Sequence, residues 1–213
     1  DTNIIIDVFK NKLQQFNPLL KSAEINHFIE KLKISLTNDD LGREFYNYVS
    51  ANSGIKLIDF DCIENNDFAC TTELTCKNGE DEFRPDITLF INGLPLGFIE
   101  VKKPNNKEGV LAERDRINKR FRNKKFRRFL NLSQILLFSN NMEYDTESIV
   151  PIQGAFYCTN SREKAVFNCF REKTANNEKD KPNFYRDFPY LHISEDIENQ
   201  ILTDNNASVI KHT

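Results

Sequence analysis

Residues 84–104 read RPDITLFINGLPLGFIEVKKP, and this stretch constrains the fold more tightly than any other part of the chain. Two runs rich in β-branched and aromatic residues flank Asn92-Gly93, the strongest short-range hairpin signal in the sequence. The spacing predicts two antiparallel strands, within which Asp86, Glu100 and Lys102 stand among Ile87, Leu89, Phe98, Ile99 and Val101. An ionised group in such company needs a compensating partner. Glu100 and Lys102 are two apart, so a strand points both to one face and turns Ile99 and Val101 to the other. A strict two-residue turn sets Ile91 against Leu94 and Asp86 against Ile99, leaving Glu100 on the wrong face. One extra residue, from a longer turn or a bulge, sets Asp86 opposite Glu100 instead, and Pro95 near the turn favours irregular pairing.

Carboxylates opposed across two strands have Cβ atoms roughly 5 Å apart and repel, unless a proton or a cation lies between them. A divalent metal resolves that conflict. Mg²⁺ takes a few carboxylate oxygens, keeps several waters and accepts phosphate oxygens, so an Asp/Glu pair beside a lysine suits phosphodiester cleavage. Lys102 can orient or polarise the attacking water and offset charge developing on the phosphate. A surface ion pair between Glu100 and Lys102 or Lys103 uses the same residue types, and spacing alone leaves both readings open.

Pro85-Asp86 followed by Glu100-x-Lys102 in a strand-turn-strand context resembles the PD-(D/E)-x-K nuclease motif. The wider pattern is more specific. LIDF at 57–60, ENNDF at 64–68, the unbroken block 84–104, and the basic segment followed by QILLFSNNMEY resemble the N-terminal nuclease region of the restriction subunit of type I restriction-modification enzymes. The similarity covers roughly residues 40–157. The resemblance implies an α/β, restriction-endonuclease-like fold with a central mixed sheet flanked by helices. It implies Asp86 and Glu100 as ligands of Mg²⁺ (or Mn²⁺), Lys102 as the catalytic lysine, and double-stranded DNA as substrate. It also implies modification and specificity subunits as partners, with ATP hydrolysed by helicase-like motor domains outside this region. Many family members carry Gln-x-x-x-Tyr on the next helix, where this chain has Ile117 and Phe121. The upstream helical glutamate of many such nucleases has Glu44 as a candidate here. A non-catalytic DNA-binding or docking module of the same fold, and a repair or structure-specific nuclease, are the alternatives.

The rest of the chain is read from its patterns. Residues 4–37 carry apolar positions at helical spacing interrupted by Pro18, predicting two helices, with a third over 40–49 ending near Gly54. IKLIDF at 55–60 and FACTTELTCK at 68–77 read as strands, as do QILLFS at 134–139 and PIQGAFYC at 151–158. Residues 108–130 predict a helix, and 161–173 another. The expected organisation is an N-terminal helical segment over 1–50 packed on the core, a nuclease core over 51–175, and a tail over 176–213 leading toward a motor domain. The chain opens on Asp1, which fits either a processed product or a segment cut from something longer.

Formal net charge is only -3, so attraction to nucleic acid must come from a local cluster of cations. Residues 114–128 supply it, with nine Lys and Arg against Asp115 alone. Arg84, Lys103, Arg120, Lys124, Lys125, Arg127 and Arg128 are the candidate DNA contacts, while Ile117 and Phe121, at i and i+4, should pack on the sheet. The five cysteines contain no C-x-x-C pair and read as reduced packing residues, and His27, His192 and His212 adjoin no ligand cluster. No apolar run approaches the ~18 residues of a membrane span, and a cytoplasmic protein is expected.

Overall fold

The computed structural model describes residues 2–50, 53–104, 108–140, 142, 152–160 and 164–169. Three helices come first. Helix α1 (Ile6–Phe16) buries Phe9 and Leu13, four apart, and α2 (Ser22–Ser35) buries Ile25, Phe28, Ile29 and Leu32 along one stripe. The Lys21 N–H donates to the Glu24 carboxylate at the start of α2. Asp40 does the same for α3 (Arg43–Val49), accepting from the N–H groups of Gly42 and Glu44.

The sheet follows. Strands β1 (Phe68–Thr72), β4 (Ile87–Ile91), β5 (Leu94–Val101), β6 (Ile135–Ser139), β7 (Ala155–Cys158) and β8 (Asn168–Cys169) lie in that spatial order. β5 pairs antiparallel with β4 and parallel with β6, so the sheet is mixed. Strands β2 (Cys76–Asn78) and β3 (Asp81–Phe83) form a separate two-stranded ribbon. Between β5 and β6 run α4 (Val110–Arg122), a 3-10 turn over Lys124–Phe126, and α5 (Arg127–Leu132). This is the α/β architecture expected from the sequence. No helix among the described residues is long and apolar enough to cross a membrane.

Apolar packing covers both faces of the sheet. On one side α1, α2 and α3 pack Phe9, Leu13, Phe28, Leu32 and Phe45 onto Leu94 and Leu96. On the other, α4 and α5 set Ile117, Phe129 and Leu130 against Phe98 and Leu136. Phe83 sits among Phe98, Phe126 and Phe129, with ring centroids 5.5–5.6 Å away and edge-to-face angles of 64–70°.

Several local expectations change. Residues 55–60 form no strand, because their polar backbone groups are taken elsewhere. Lys56 N–H donates to Asn17, Asp59 N–H to Asn66, and the Asp59 carboxylate accepts from the N–H groups of Asp61 and Cys62. The run 68–77 is split at Glu73, whose φ of 57° leaves the extended region. The strand leading into Asn92-Gly93 begins only at Ile87, and Pro85, which has no N–H for a ladder, separates it from β3. The helix over 108–130 breaks at Asn123, whose side chain turns to accept from Lys125 N–H. Of the expected helix over 161–173, residues 164–169 are not helical, and Asn168 pairs with Tyr157 as part of a sheet edge. The expected tail over 176–213, with His192 and His212, lies outside the described residues.

Candidate active site

The site is built by one misfit in a hairpin. Asn92 and Gly93 have φ of 53° and 79°, the left-handed pair that a two-residue turn requires. From that turn Ile91 pairs with Leu94 and Phe90 with Pro95, but Leu89 pairs with Gly97. Leu96 is the extra residue, a bulge. Its effect is to change the phase of β5: Leu94 and Leu96 enter the helical core, whereas Phe98 joins Ile117 and Phe129 on the opposite side. Ile87 then pairs with Ile99, and Asp86 and Glu100, one step beyond that pair, both approach Lys102 Nζ. The bulge expected from the sequence therefore brings the two carboxylates to one face.

Asp86 precedes β4 and is fixed through its carboxylate, whose Oδ2 accepts the Val101 N–H at 2.6 Å, and through its carbonyl, which accepts from Glu73 N–H. Glu100 is 3 % exposed, in keeping with a strand flanked on both edges by others. Its two oxygens are divided. Oε1 accepts from Arg120 Nη1 at 2.8 Å, and Oε2 from Lys102 Nζ at 3.1 Å. Lys102 Nζ also lies 3.7 Å from Asp86 Oδ2. The expected trio of Asp86, Glu100 and Lys102 is thus gathered at the C-terminal end of β5.

A further carboxylate completes the cluster. Glu113 on α4 is 1 % exposed, with Oε2 at 3.6 Å from Lys102 Nζ and Oε1 at 3.4 Å from Arg120 Nη1. Oε2 has no hydrogen-bond partner. Burial, then the nearby Glu100, raise the Glu113 pKa above the ordinary glutamate value, against the opposing pull of Lys102, Arg120 and Arg116. Sequence reading misses Glu113. The usable signal was the face Glu113, Ile117, Arg120 at i, i+4 and i+7, since packing Ile117 on the sheet turns its helical neighbours inward too. Glu44 is not brought here: it lies on α3, on the other side of the sheet, and contacts Asn38 and Tyr48.

The basic residues are sorted by the fold. Arg120 points inward, its Cζ 4.3 Å from the Phe83 ring centroid, and it is held by Glu100 and Glu113. Arg84 pairs with Glu73, Lys125 with Asp81 and Arg127 with Asp39. Lys103 and Lys124 are exposed, and Arg128 is half-buried. Ile117 is buried beside Phe98 and Phe121 packs against the same cluster, while Asn118 accepts from Ala165 N–H. A cavity of about 650 Å³, lined by Tyr46, Ile58, Phe60, Leu96 and Ile135 among others, contains none of the catalytic candidates.

Two carboxylates converging on one cation are a donor set that suits a hard divalent ion, and Glu113 Oε2, without a hydrogen bond but within 3.6 Å of both Lys102 Nζ and Arg116 Nη1, lies beside them. Among the described residues no group of three or more His, Cys, Asp and Glu is gathered closely enough to hold a metal unaided. Asp86 and Glu100 are two carboxylate donors that could serve an ion keeping most of its waters.

Comparison with known proteins identifies the family. Residues 1–146 match the family described as type I restriction enzyme R protein N terminus. The chain belongs to that family. It is similar to the putative type I restriction enzyme MjaVIIIP endonuclease subunit of Methanocaldococcus jannaschii, at 31 % identity over 124 residues, covering 52 % of this chain and 12 % of the relative. A second similar protein is the putative MjaVIIP endonuclease subunit of the same organism, 49 % identical over 47 residues, or 22 % of this chain and 4 % of the relative. The chain thus spans a small fraction of the length of these relatives.

Proposed function

We propose that this chain is a Mg²⁺-dependent endonuclease domain, with Mn²⁺ as an acceptable substitute, that hydrolyses phosphodiester bonds of double-stranded DNA within a type I restriction enzyme. The observation that carries the reading is the bulge at Leu96, which turns a surplus residue into a face where Asp86, Glu100 and Lys102 meet. Family membership and the relatives' names as endonuclease subunits support it.

Asp86 and Glu100 would hold the ion. Bound there, Mg²⁺ supplies Lewis acidity to a phosphate oxygen and lowers the pKa of a water. The chain's own groups prepare the geometry. Val101 N–H fixes Asp86, and Arg120 occupies Glu100 Oε1, leaving Oε2 to Lys102. Lys102 presents a point charge beside both carboxylates, suited to orienting a water for in-line attack on phosphorus and offsetting charge as the P–O bond to the leaving oxygen breaks. Lys103, Lys124 and Arg128, together with Arg114, Arg116, Lys119 and Arg122 of α4, offer cationic surface for the DNA backbone. Motor domains elsewhere in the subunit would hydrolyse ATP, modification and specificity subunits would supply recognition, and the cytoplasm is the place of action.

The departure from Gln-x-x-x-Tyr would suit a non-catalytic module, but Glu113 and Arg120 supply polar support from the same helix face. The deciding experiment is plasmid cleavage by the assembled complex in Mg²⁺. Cleavage abolished by EDTA and by Asp86→Ala, with ATP hydrolysis intact in the variant, is the expected result. Undiminished cleavage by Asp86→Ala would overturn the proposal.

A further inference from the structure

Lys102 Nζ lies 3.1 Å from Glu100 Oε2, 3.7 Å from Asp86 Oδ2 and 3.6 Å from Glu113 Oε2. Carboxylates from the segment before β4, from β5 and from α4 therefore share one ammonium. An ion ligated by Asp86 Oδ2 and Glu100 Oε2 together would lie close beside the ammonium, which stands 3.7 Å and 3.1 Å from those same oxygens. Like charges repel strongly at such separations, more so beside buried groups than in water.

We propose that Lys102 is the resident cation of this carboxylate nest, and that an entering divalent ion displaces its ammonium toward the substrate side. The inference rests on the proposed metal site and adds its regulation: the lysine is delivered to the phosphate only once metal is in place. Arg120 is poorly suited to the moving part, because its guanidinium is stacked on Phe83 and bound to two glutamates. Lys102 is well suited. Its backbone is pinned by Lys102 N–H donating to Ser139 O at 2.8 Å, just past the end of β5, while its flexible stem and rotatable ammonium can change partners without disturbing the strand. Glu113 Oε2, buried and without a hydrogen bond, helps draw the ammonium inward when no metal is present.

The test is calorimetric titration of the 213-residue chain with MnCl₂, comparing wild type with Lys102→Met, Lys102→Gln and Lys102→Arg. Removing the competing cation should tighten Mn²⁺ binding by about tenfold or more, or about 1.4 kcal/mol, in the Met and Gln variants. Arg, which keeps the charge, should bind no tighter than wild type. Melting curves give a second readout: Mn²⁺ should raise the melting temperature of the neutral variants more than that of wild type, since a ligand of the folded state stabilises according to its affinity. A variant that folds only when Mn²⁺ is added counts as the same result. Equal or weaker Mn²⁺ binding by both neutral variants, with wild type binding measurably, would overturn the displacement and leave the metal site standing. No Mn²⁺ binding by wild type or any variant would overturn both.

Discussion

The Val101 N–H donates to Asp86 Oδ2 at 2.6 Å, tying a side chain ahead of β4 to the backbone of β5 immediately after Glu100. The two carboxylates are therefore placed by one hairpin, not by the meeting of distant elements, and neither depends on substrate for its position. Asp86→Asn and Glu100→Gln keep the shape of each side chain while removing its charge. Each should reduce cleavage at least about a hundredfold, on the scale of losing one electrostatic stabiliser of a transition state. Each should also abolish Mn²⁺ binding by calorimetry. Unchanged binding in both variants would reject the metal assignment.

Lys102 separates chemistry from packing. In the full complex Lys102→Ala should eliminate cleavage while ATP hydrolysis continues, because its contribution grows only as charge develops on the phosphate. Lys102→Arg should fail as well, since a planar guanidinium cannot take the position of a compact ammonium. Scoring linearised plasmid and released phosphate in the same reaction gives the answer, and wild-type cleavage by Lys102→Ala would end the assignment.

The cations after α4 should act through phosphates alone. Replacing Lys124, Lys125, Arg127 and Arg128 by Gln should weaken binding to unrelated duplexes alike and flatten the log K against log salt slope by about 0.9 for each phosphate no longer neutralised. Lys125 has a carboxylate partner in Asp81 and Arg127 in Asp39, so part of each of those charges is offset before DNA binds. A defect confined to one DNA sequence would contradict the idea.

Asp59 gives a prediction in pH. Hydrogen bonds from Asn65, then from Lys56, and the Cys62 N–H hold its carboxyl well below the ordinary aspartate range. A depressed folded-state pKa stabilises fully above the unfolded value of about 4, and that stabilisation is lost as pH falls toward the folded-state value. Asp59→Asn, which turns an amide donor toward these donors, should lower the melting temperature by several degrees at pH 7. The gap should narrow progressively below about pH 4. Melting curves from acid to neutral pH would decide it, and a constant gap would refute the linkage.

How much of this was legible depends on the range of the interactions. The bulge was readable because Asn92-Gly93 fixes one register and the charges of Asp86 and Glu100 demand another, a conflict contained within a few residues. Glu113 was hidden because a carboxylate amid Arg114, Arg116 and Arg120 reads as an ordinary solvated helix face until the helix is docked. Arg120 was misjudged for the same reason: its place over Phe83 is set by the two-stranded ribbon, far off in sequence. The strand expected at 55–60 failed because side chains of Asn17, Asp59 and Asn66 compete successfully for backbone groups, which apolar periodicity does not register.

The hairpin tip is not a free loop. Gly93 O accepts from Ile5 N–H at 2.8 Å, Asn92 is fully buried, and a Cβ on Gly93 would come within 2.7 Å of Ile5 O. Helix α1 is thus a lid over the end of the hairpin opposite the carboxylates, and trimming has an asymmetric consequence. A shortened polypeptide that starts after α1 would uncover Asn92, Leu94 and the apolar positions against which Phe9 and Leu13 pack, and should aggregate even though every candidate catalytic side chain is retained. A shortened polypeptide meant to retain the proposed site should therefore begin before Ile4.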